Sequence, residues 1–130
     1  MTALGDFVRR RRKVLGLTQA ALALRMGVDD AYVSAIETGR RTPDGASFLD
    51  LLGCALELKT SEHSELTECA RRSQRYVRLP EELPVRAHEL FTALADDLPR
   101  FSAQEIELIA SIHAAILRNR KMAAVEAAPC

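Results

Sequence analysis

Apolar residues recur every three or four positions through the first half of the chain, which is the spacing of helices that bury one face. The pattern predicts a helix over residues 4–15 that Gly16 ends, a second over 18–25, a third over 29–37 and a fourth over 45–58, with residues 40–43 as a loop. One small core would gather their inward-facing side chains: Leu4, Phe7, Val8, Val14, Leu15, Leu22, Val33, Ile36, Phe48, Leu49, Leu52, Leu56 and Leu58.

The second half of the chain predicts three further helices. One covers residues 61 to about 76, with Ser61 or Thr60 as its N-cap. Pro80 and Pro84 exclude a continuous helix, so we place a domain boundary after residue 78 and divide the chain into 1–78 and 79–130. The sixth helix would end at Pro99, and its apolar stripe is Val85, Leu90, Phe91, Leu94 and Leu98. The last helix would begin at a Ser-Ala-Gln-Glu capping box over residues 102–105. Its apolar residues are Ile106, Ile109, Ile112 and Ile116, with Leu108 and Leu117 beside them. The tail from Met122 is expected to fray.

Composition supports an all-α fold. The chain has 130 residues, of which 48% are apolar, with six aromatic residues and no Trp, and its Leu- and Ala-rich segments favour helices. Charge is balanced at 18 basic and 18 acidic side chains, with a net +2 over residues 1–59 and −2 over residues 60–130. This balance argues against a protein that coats nucleic acid without selectivity.

The sequence contains no motif that indicates cofactor binding, catalysis or membrane insertion. Cys54, Cys69 and Cys130 have no metal-ligand spacing and are expected to be reduced thiols of a cytoplasmic protein, with Cys54 buried on an apolar helix face. The three histidines lie far apart, and no glycine-rich phosphate loop is present. No signal peptide and no apolar run of about 18 residues is seen. We therefore expect neither an enzyme, nor a metal site, nor a cofactor.

The second and third helices are joined by a very short turn. Thr18 is placed to cap the second helix, Asp29 to cap the third, and Gly27 lies at the corner, where a left-handed backbone costs least. Two helices joined so tightly are typical of a helix-turn-helix, whose second helix enters the DNA major groove.

The order of residues around this turn resembles a known family. Residues 4–58 resemble the Xre/Cro-type, phage-repressor-like helix-turn-helix regulators at Thr18-Gln19, Leu22-Ala23, Met26-Gly27-Val28, Tyr32-Val33-Ser34, Ile36-Glu37, Gly39-Arg40-Arg41 and Pro43. The resemblance implies a bundle of about five helices that binds operator DNA as a dimer and represses, or sometimes activates, transcription.

By register with that family, the residues that read bases lie near the start of the third helix: Asp30, Ala31, Tyr32, Ser34 and Ala35. Asp30 can accept a hydrogen bond from cytosine, or it only favours the helix start through its charge. Tyr32 either contacts the sugar-phosphate backbone or is a partly buried structural residue. This face lacks Arg and Lys, so the bidentate contact to guanine is missing.

Other residues are predicted to bind phosphates or to hold the motif together. The phosphate-binding set is Gln19, Thr38, Arg40, Arg41 and Thr42, with Arg9 and Lys13 on one face of the first helix; a solvated loop is the alternative for Arg40 and Arg41. The resemblance implies an ion pair between Arg12 and Glu37, while Arg11 would lie along the core edge with its charged group in water. A cluster of Arg71, Arg72, Arg75 and Arg78 is expected to be a solvated face, with a second phosphate strip as the minority interpretation.

The C-terminal third leaves several functions open. Ile106, Ile109, Ile112 and Ile116 would pack across a two-fold axis, pack within the chain, or belong to a regulatory domain for a peptide, protein or small ligand. We expect a homodimeric regulator, most simply a repressor, whose residues 30–37 enter the groove of a palindromic operator in double-stranded DNA. The alternative is an antitoxin-type DNA-binding protein whose C-terminal helices bind a toxin or another protein.

Overall fold

The computed structural model describes residues 1–127, and within that range every regular element is a helix. The chain divides into two compact units, Met1–Arg78 and Leu79–Cys130. The prediction of an all-α protein is confirmed, with a bundle of five helices followed by C-terminal helices.

The N-terminal unit contains helices α1 (Ala3–Val14), α2 (Gln19–Met26), α3 (Asp30–Thr38), α4 (Ala46–Ala55) and α5 (Thr60–Arg72). Their apolar faces meet in one cluster, in which Leu4, Leu22, Ile36, Leu52 and Leu66 are essentially inaccessible to solvent. Phe48 and Leu58 pack at its edge, as the apolar pattern predicted. Burial of these side chains is the main force that holds α3 in place.

Two close approaches fix α1 against the rest of the bundle. The Ser73 hydroxyl, at the end of α5, accepts a hydrogen bond of 2.9 Å from the Leu4 N–H and donates one of 2.6 Å to the Cys69 carbonyl. On the other side, a Cβ at Gly5 would lie 2.6 Å from the Ile36 carbonyl oxygen. Only a glycine lets α1 approach the backbone of α3 so closely.

Helix boundaries differ from the prediction where side chains, not local sequence signals, decide them. α4 ends at Ala55, three residues early, because Glu57 takes a left-handed φ of 55°. The turn is held by Arg11, which donates to the carbonyls of Leu56 and Glu57 at 3.2 and 3.1 Å. α5 ends at Arg72 instead of continuing to Tyr76. Neither the Thr60 nor the Ser61 hydroxyl caps the start of α5. Lys59 occupies the N-cap position, and its N–H donates to the Glu62 carboxylate at 2.9 Å.

Two predictions of burial are wrong. Cys54 is exposed, because α4 turns Leu49, Leu52 and Leu56 to the core and position 54 is about 200° round the helix from position 52. Cys69 on α5 is the buried thiol. Val14, at the last turn of α1, is 74% exposed because the chain leaves the core there.

The C-terminal unit contains α6 (Val85–Asp97), a short 3₁₀ turn (Leu98–Arg100) and α7 (Ala103–Ala127). The predicted capping box begins α7: the Ser102 N–H donates to Glu105 at 2.9 Å and the Glu105 N–H donates to the Ser102 hydroxyl at 3.1 Å. The hydrogen bond from the Ser102 backbone holds the pKa of Glu105 below its usual range. Helix α7 continues past Met122, where the sequence predicts fraying, as far as Ala127, while residues 128–130 lie outside the described residues.

Candidate nucleic-acid interface

The turn from α2 to α3 is made by residues whose roles the sequence predicted. The Thr18 hydroxyl accepts from the Ala21 N–H at 3.0 Å and caps α2. Gly27 has a φ of 69° and ends α2, and only three residues separate α2 from α3. Asp29 occupies the N-cap position of α3, but its side chain makes no capping hydrogen bond, so its carboxylate remains exposed at the start of the helix.

Helix α3 is divided between the core and the surface. Val33 and Ile36 are 1% exposed and anchor the helix. Of the predicted base-reading residues, Asp30 and Ala31 are exposed, and Tyr32, Ser34 and Ala35 are half-buried. Apart from Thr38 at its last position, the exposed residues of α3 are therefore at its N-terminal end, which is the end that reads bases in a helix-turn-helix.

Tyr32 packs against the domain as well as lining the surface. Its ring lies 5.5 Å from that of Phe48, at an interplanar angle of 60°, and the Arg41 guanidinium lies 5.6 Å from the centre of the ring. A cation placed over an aromatic face is held there by the ring quadrupole. This geometry favours the structural interpretation of Tyr32, which orients Arg41 beside the exposed end of α3.

The loop after α3 carries Arg40 and Arg41 and is tied to three points. The Arg41 N–H donates to the Ala35 carbonyl at 3.1 Å. Gln74 donates to the Thr42 carbonyl at 3.1 Å, and Arg75 donates to the Gly39 carbonyl at 2.7 Å. The side chains of Arg40 and Arg41 are exposed on this fixed backbone.

Gln74 and Arg75, which follow α5, support the loop without any local sequence signal for this role, and the basic pattern predicts a solvated face for Arg75 with Arg71, Arg72 and Arg78. Within that cluster, Arg71 donates two hydrogen bonds to Glu68, which lower the pKa of the Glu68 carboxylate. Arg72 also lies 3.8 Å from Glu68. Two of the four arginines are thus neutralised locally, whereas Arg75 supports the loop.

Arg12 and Glu37 join the start of the bundle to the end of α3. Two hydrogen bonds of 2.7 and 2.9 Å connect them, and their side chains are 11% and 4% exposed. Arg12 also donates to the Leu17 carbonyl at 2.7 Å. The hydrogen bonds to Glu37 raise the pKa of the Arg12 guanidinium, so it remains charged at any physiological pH.

Gln19 takes part in this ion pair, since its amide nitrogen lies 3.3 Å from the Glu37 carboxylate. An amide nitrogen carries two hydrogens, so one remains for a phosphate oxygen. The Thr38 hydroxyl is exposed but donates to the Ser34 carbonyl at 3.0 Å, and the Thr42 side chain is half-buried.

On α1, Arg9 and Lys13 are exposed and one helical turn apart. The expectation that the charged group of Arg11 lies in water is wrong. Besides its bonds to the end of α4, Arg11 lies 3.4 Å from Glu62 and is half-buried.

The four isoleucines of α7 lie in the C-terminal unit and are not gathered into a core. Ile106, Ile112 and Ile116 are 40%, 54% and 46% exposed, and Ile109 is half-buried. In the part of the chain that the structure describes, no residue of α6 or of the 3₁₀ turn is buried either.

Among residues 1–127, no group of three or more His, Cys, Asp or Glu side chains is close enough to hold a metal ion. None of the described helices is both long and apolar enough to cross a membrane.

Comparison with known proteins identifies the N-terminal unit. Residues 3–66 match a family described as a helix-turn-helix domain. No curated protein and no solved structure gave a match to the chain. The matched segment contains all of α1 to α4, the turn at Gly27 and the exposed end of α3. Residues 3–66 therefore form a helix-turn-helix domain.

Proposed function

We propose that the protein is a homodimeric transcriptional repressor that inserts α3 into the major groove of a palindromic operator. The observation that carries this proposal is the exposed N-terminal end of α3, which lies beside a loop whose tied backbone presents Arg40 and Arg41. A recognition helix supplies contacts to base edges, and basic residues next to it supply contacts to phosphates.

Sequence preference would come from few side chains. Asp30 accepts a hydrogen bond from cytosine N4, Ala31 touches a thymine methyl group, and Ser34 bonds either kind of base pair. Asp29 and Asp30 both have exposed carboxylates at the end of α3 that would approach the DNA. The repulsion between these carboxylates and the DNA phosphates must be offset by basic residues elsewhere. Arg40 and Arg41, with Arg9, Lys13 and the free hydrogen of Gln19, provide that offset.

A dimer would place two copies of α3 in successive major grooves, with half-site centres about 34 Å apart. Occupancy of such a site at a promoter excludes polymerase, so the expected outcome is repression, including that of the protein's own operon. Selection from a random duplex library should enrich an inverted repeat with this spacing. Enrichment of no sequence, or of a single unrepeated site, would contradict the proposal.

Two substitutions separate base reading from phosphate binding. Arg40→Ala should weaken binding to all sequences alike and reduce the slope of log affinity against log salt by about one. Arg71→Ala removes the same charge from a residue engaged with Glu68, and it should leave both quantities unchanged. Ser34→Ala should instead alter which operator variant is preferred, measured by fluorescence anisotropy on single-base variants. If Ser34→Ala ranks all variants as the parent protein does, the assigned reading face is wrong.

A further inference from the structure

The C-terminal helix α7 presents an apolar face whose two ends have opposite charge. Ile106, Ile109, Ile112 and Ile116 follow one another at helical spacing, with Glu105 before them and Arg120 after them. At about 100° per residue, Glu105 and Arg120 both lie within roughly 40° of the centre of the isoleucine face. The same arithmetic places Glu107 and Arg118 roughly 165–175° from that centre, on the back of the helix.

The charged ends and the inner isoleucines are arranged symmetrically about the point between Ile112 and His113. Glu105 lies seven residues before Ile112, and Arg120 lies seven residues after His113. Ile109 and Ile116 lie three residues outside the same two positions. When two copies of such a helix pack antiparallel around this midpoint, each Glu105 faces the Arg120 of the other copy and each Ile109 faces the other Ile116. At the centre, each Ile112 packs beside the other copy's His113. A parallel pair would instead place like charges together at both ends.

Complementarity with the helix's own dipole does not account for the basic end. Favourable interactions with the macrodipole fall off within the last turn, and the last turn of α7, which ends at Ala127, contains no basic residue. The apolar side chains between the charges also retain 40–54% of their exposure at positions 106, 112 and 116. Within the described part of the chain, this face is therefore available to a partner that presents a basic group opposite Glu105 and an acidic group opposite Arg120.

We propose that the partner of this face is a second copy of the chain, docked antiparallel through α7 with the two-fold axis near Ile112 and His113. This inference rests on the proposed homodimeric function and specifies its interface. It assigns Ile109, Ile112 and Ile116 to the buried centre of the interface and the two Glu105–Arg120 pairs to its rim, where they set direction and register more than affinity.

Cysteine cross-linking of the full chain tests the direction of the pair. In a background with Cys54→Ser and Cys130→Ser, which retains the buried Cys69, His113→Cys should form a disulfide-linked dimer on mild oxidation, since the two thiols meet near the axis. Ile106→Cys should not, because antiparallel packing separates its two copies by about 20 Å along the helix. Ser111→Cys, on the back of α7, is the matched negative control.

Charge reversal tests the ends of the interface. Arg120→Glu places two acidic groups together at each end and should raise the dimer dissociation constant roughly tenfold in sedimentation equilibrium. Arg118→Glu makes the same change on the back of the helix and should alter it less than twofold.

Three outcomes would overturn the pairing: equal cross-linking of Ile106→Cys and His113→Cys, a stable dimer that neither variant cross-links, or a full-length monomer. A full-length monomer would indicate that the apolar face of α7 binds another protein, such as a toxin. Operator binding measured on the same preparations keeps the two proposals separate. Binding by a monomer, or by a dimer with another interface, would leave the DNA-binding function intact and remove the α7 pairing. An intact cross-link without selective DNA binding would do the reverse.

Discussion

Gly5 lies where α1 crosses the backbone of α3, and this contact sets the position of α3. Gly5→Ala should destabilise the protein by about 1–2 kcal/mol, because the new Cβ would lie 2.6 and 2.7 Å from two backbone carbonyls that cannot rotate away. The better helix propensity of alanine, about 1 kcal/mol, offsets only part of this strain. Urea unfolding followed by circular dichroism measures the change.

Gly53→Ala is the matched control for Gly5→Ala, since it is also a helix-interior glycine with a close neighbour. Its Cβ would lie 2.6 Å from the His63 ring, a side chain that can move. We expect a change within about 0.5 kcal/mol of the parent protein. If Gly5→Ala and Gly53→Ala lowered the free energy of unfolding equally, the backbone contact between α1 and α3 would be no less able to adjust than the His63 side chain.

The Arg12–Glu37 pair makes a second prediction at the residue scale. Arg12→Ala leaves the Glu37 carboxylate, 4% exposed, with only the Gln19 amide as a partner. We expect a loss of about 3 kcal/mol in the free energy of unfolding, since a buried charge without its counter-ion is strongly destabilising.

Arg10→Ala is the control for Arg12→Ala, because it breaks a surface pair with Asp6 on the same helix and should cost less than about 0.5 kcal/mol. Replacing both partners, Arg12→Met with Glu37→Leu, should recover most of the stability, because no buried charge remains. A double variant no more stable than Arg12→Ala would contradict this account.

At the scale of elements, the segment after α5 supports the loop that carries Arg40 and Arg41. Gln74→Ala removes the hydrogen bonds to the Thr42 and Ala70 carbonyls without changing charge. We expect operator affinity to fall by about three- to tenfold for all sequences, since one or two neutral hydrogen bonds contribute roughly 0.5–1.5 kcal/mol each. Fluorescence anisotropy on matched and mismatched operators measures it, with Gln104→Ala in α7 as the control. A change in sequence preference instead of in overall affinity would show that Gln74 acts on α3 and not on the loop.

The elements that the sequence predicted well are those with local signals. Thr18, Gly27 and the Ser102–Glu105 box act within four residues of themselves, so their capping geometry could be foreseen. The end of α4 could not, because it depends on Arg11, which is 45 residues away along the chain. The same holds for Gln74, which reaches the loop across 32 residues. Polar side chains that form long-range hydrogen bonds leave no periodic pattern in the sequence. From the sequence alone they therefore cannot be distinguished from polar residues on a solvated surface.

At the scale of the whole molecule, the proposed function assigns DNA contact to Met1–Arg78 and self-association to the unit that begins at Leu79. A chain ending at Arg78 retains the whole apolar cluster from Leu4 to Ala70 and the Ser73 hydrogen bond to α1. We expect it to unfold cooperatively in urea, to be monomeric in light scattering, and to bind a full palindromic operator at least a hundredfold more weakly than the intact protein, since two linked half-sites gain from effective concentration.

Fusion of residues 1–78 to an unrelated dimeric coiled coil distinguishes two reasons for that loss. If the C-terminal unit only brings two DNA-binding domains together, the fusion should recover most of the operator affinity on at least one linker length, because any dimeriser that spans the half-sites restores the effective concentration. Recovery on no linker length would mean that residues beyond 78 contact DNA or set the spacing of the domains. A truncated chain that stays dimeric would locate self-association in the helix-turn-helix unit and leave the charge-patterned face of α7 for a different protein.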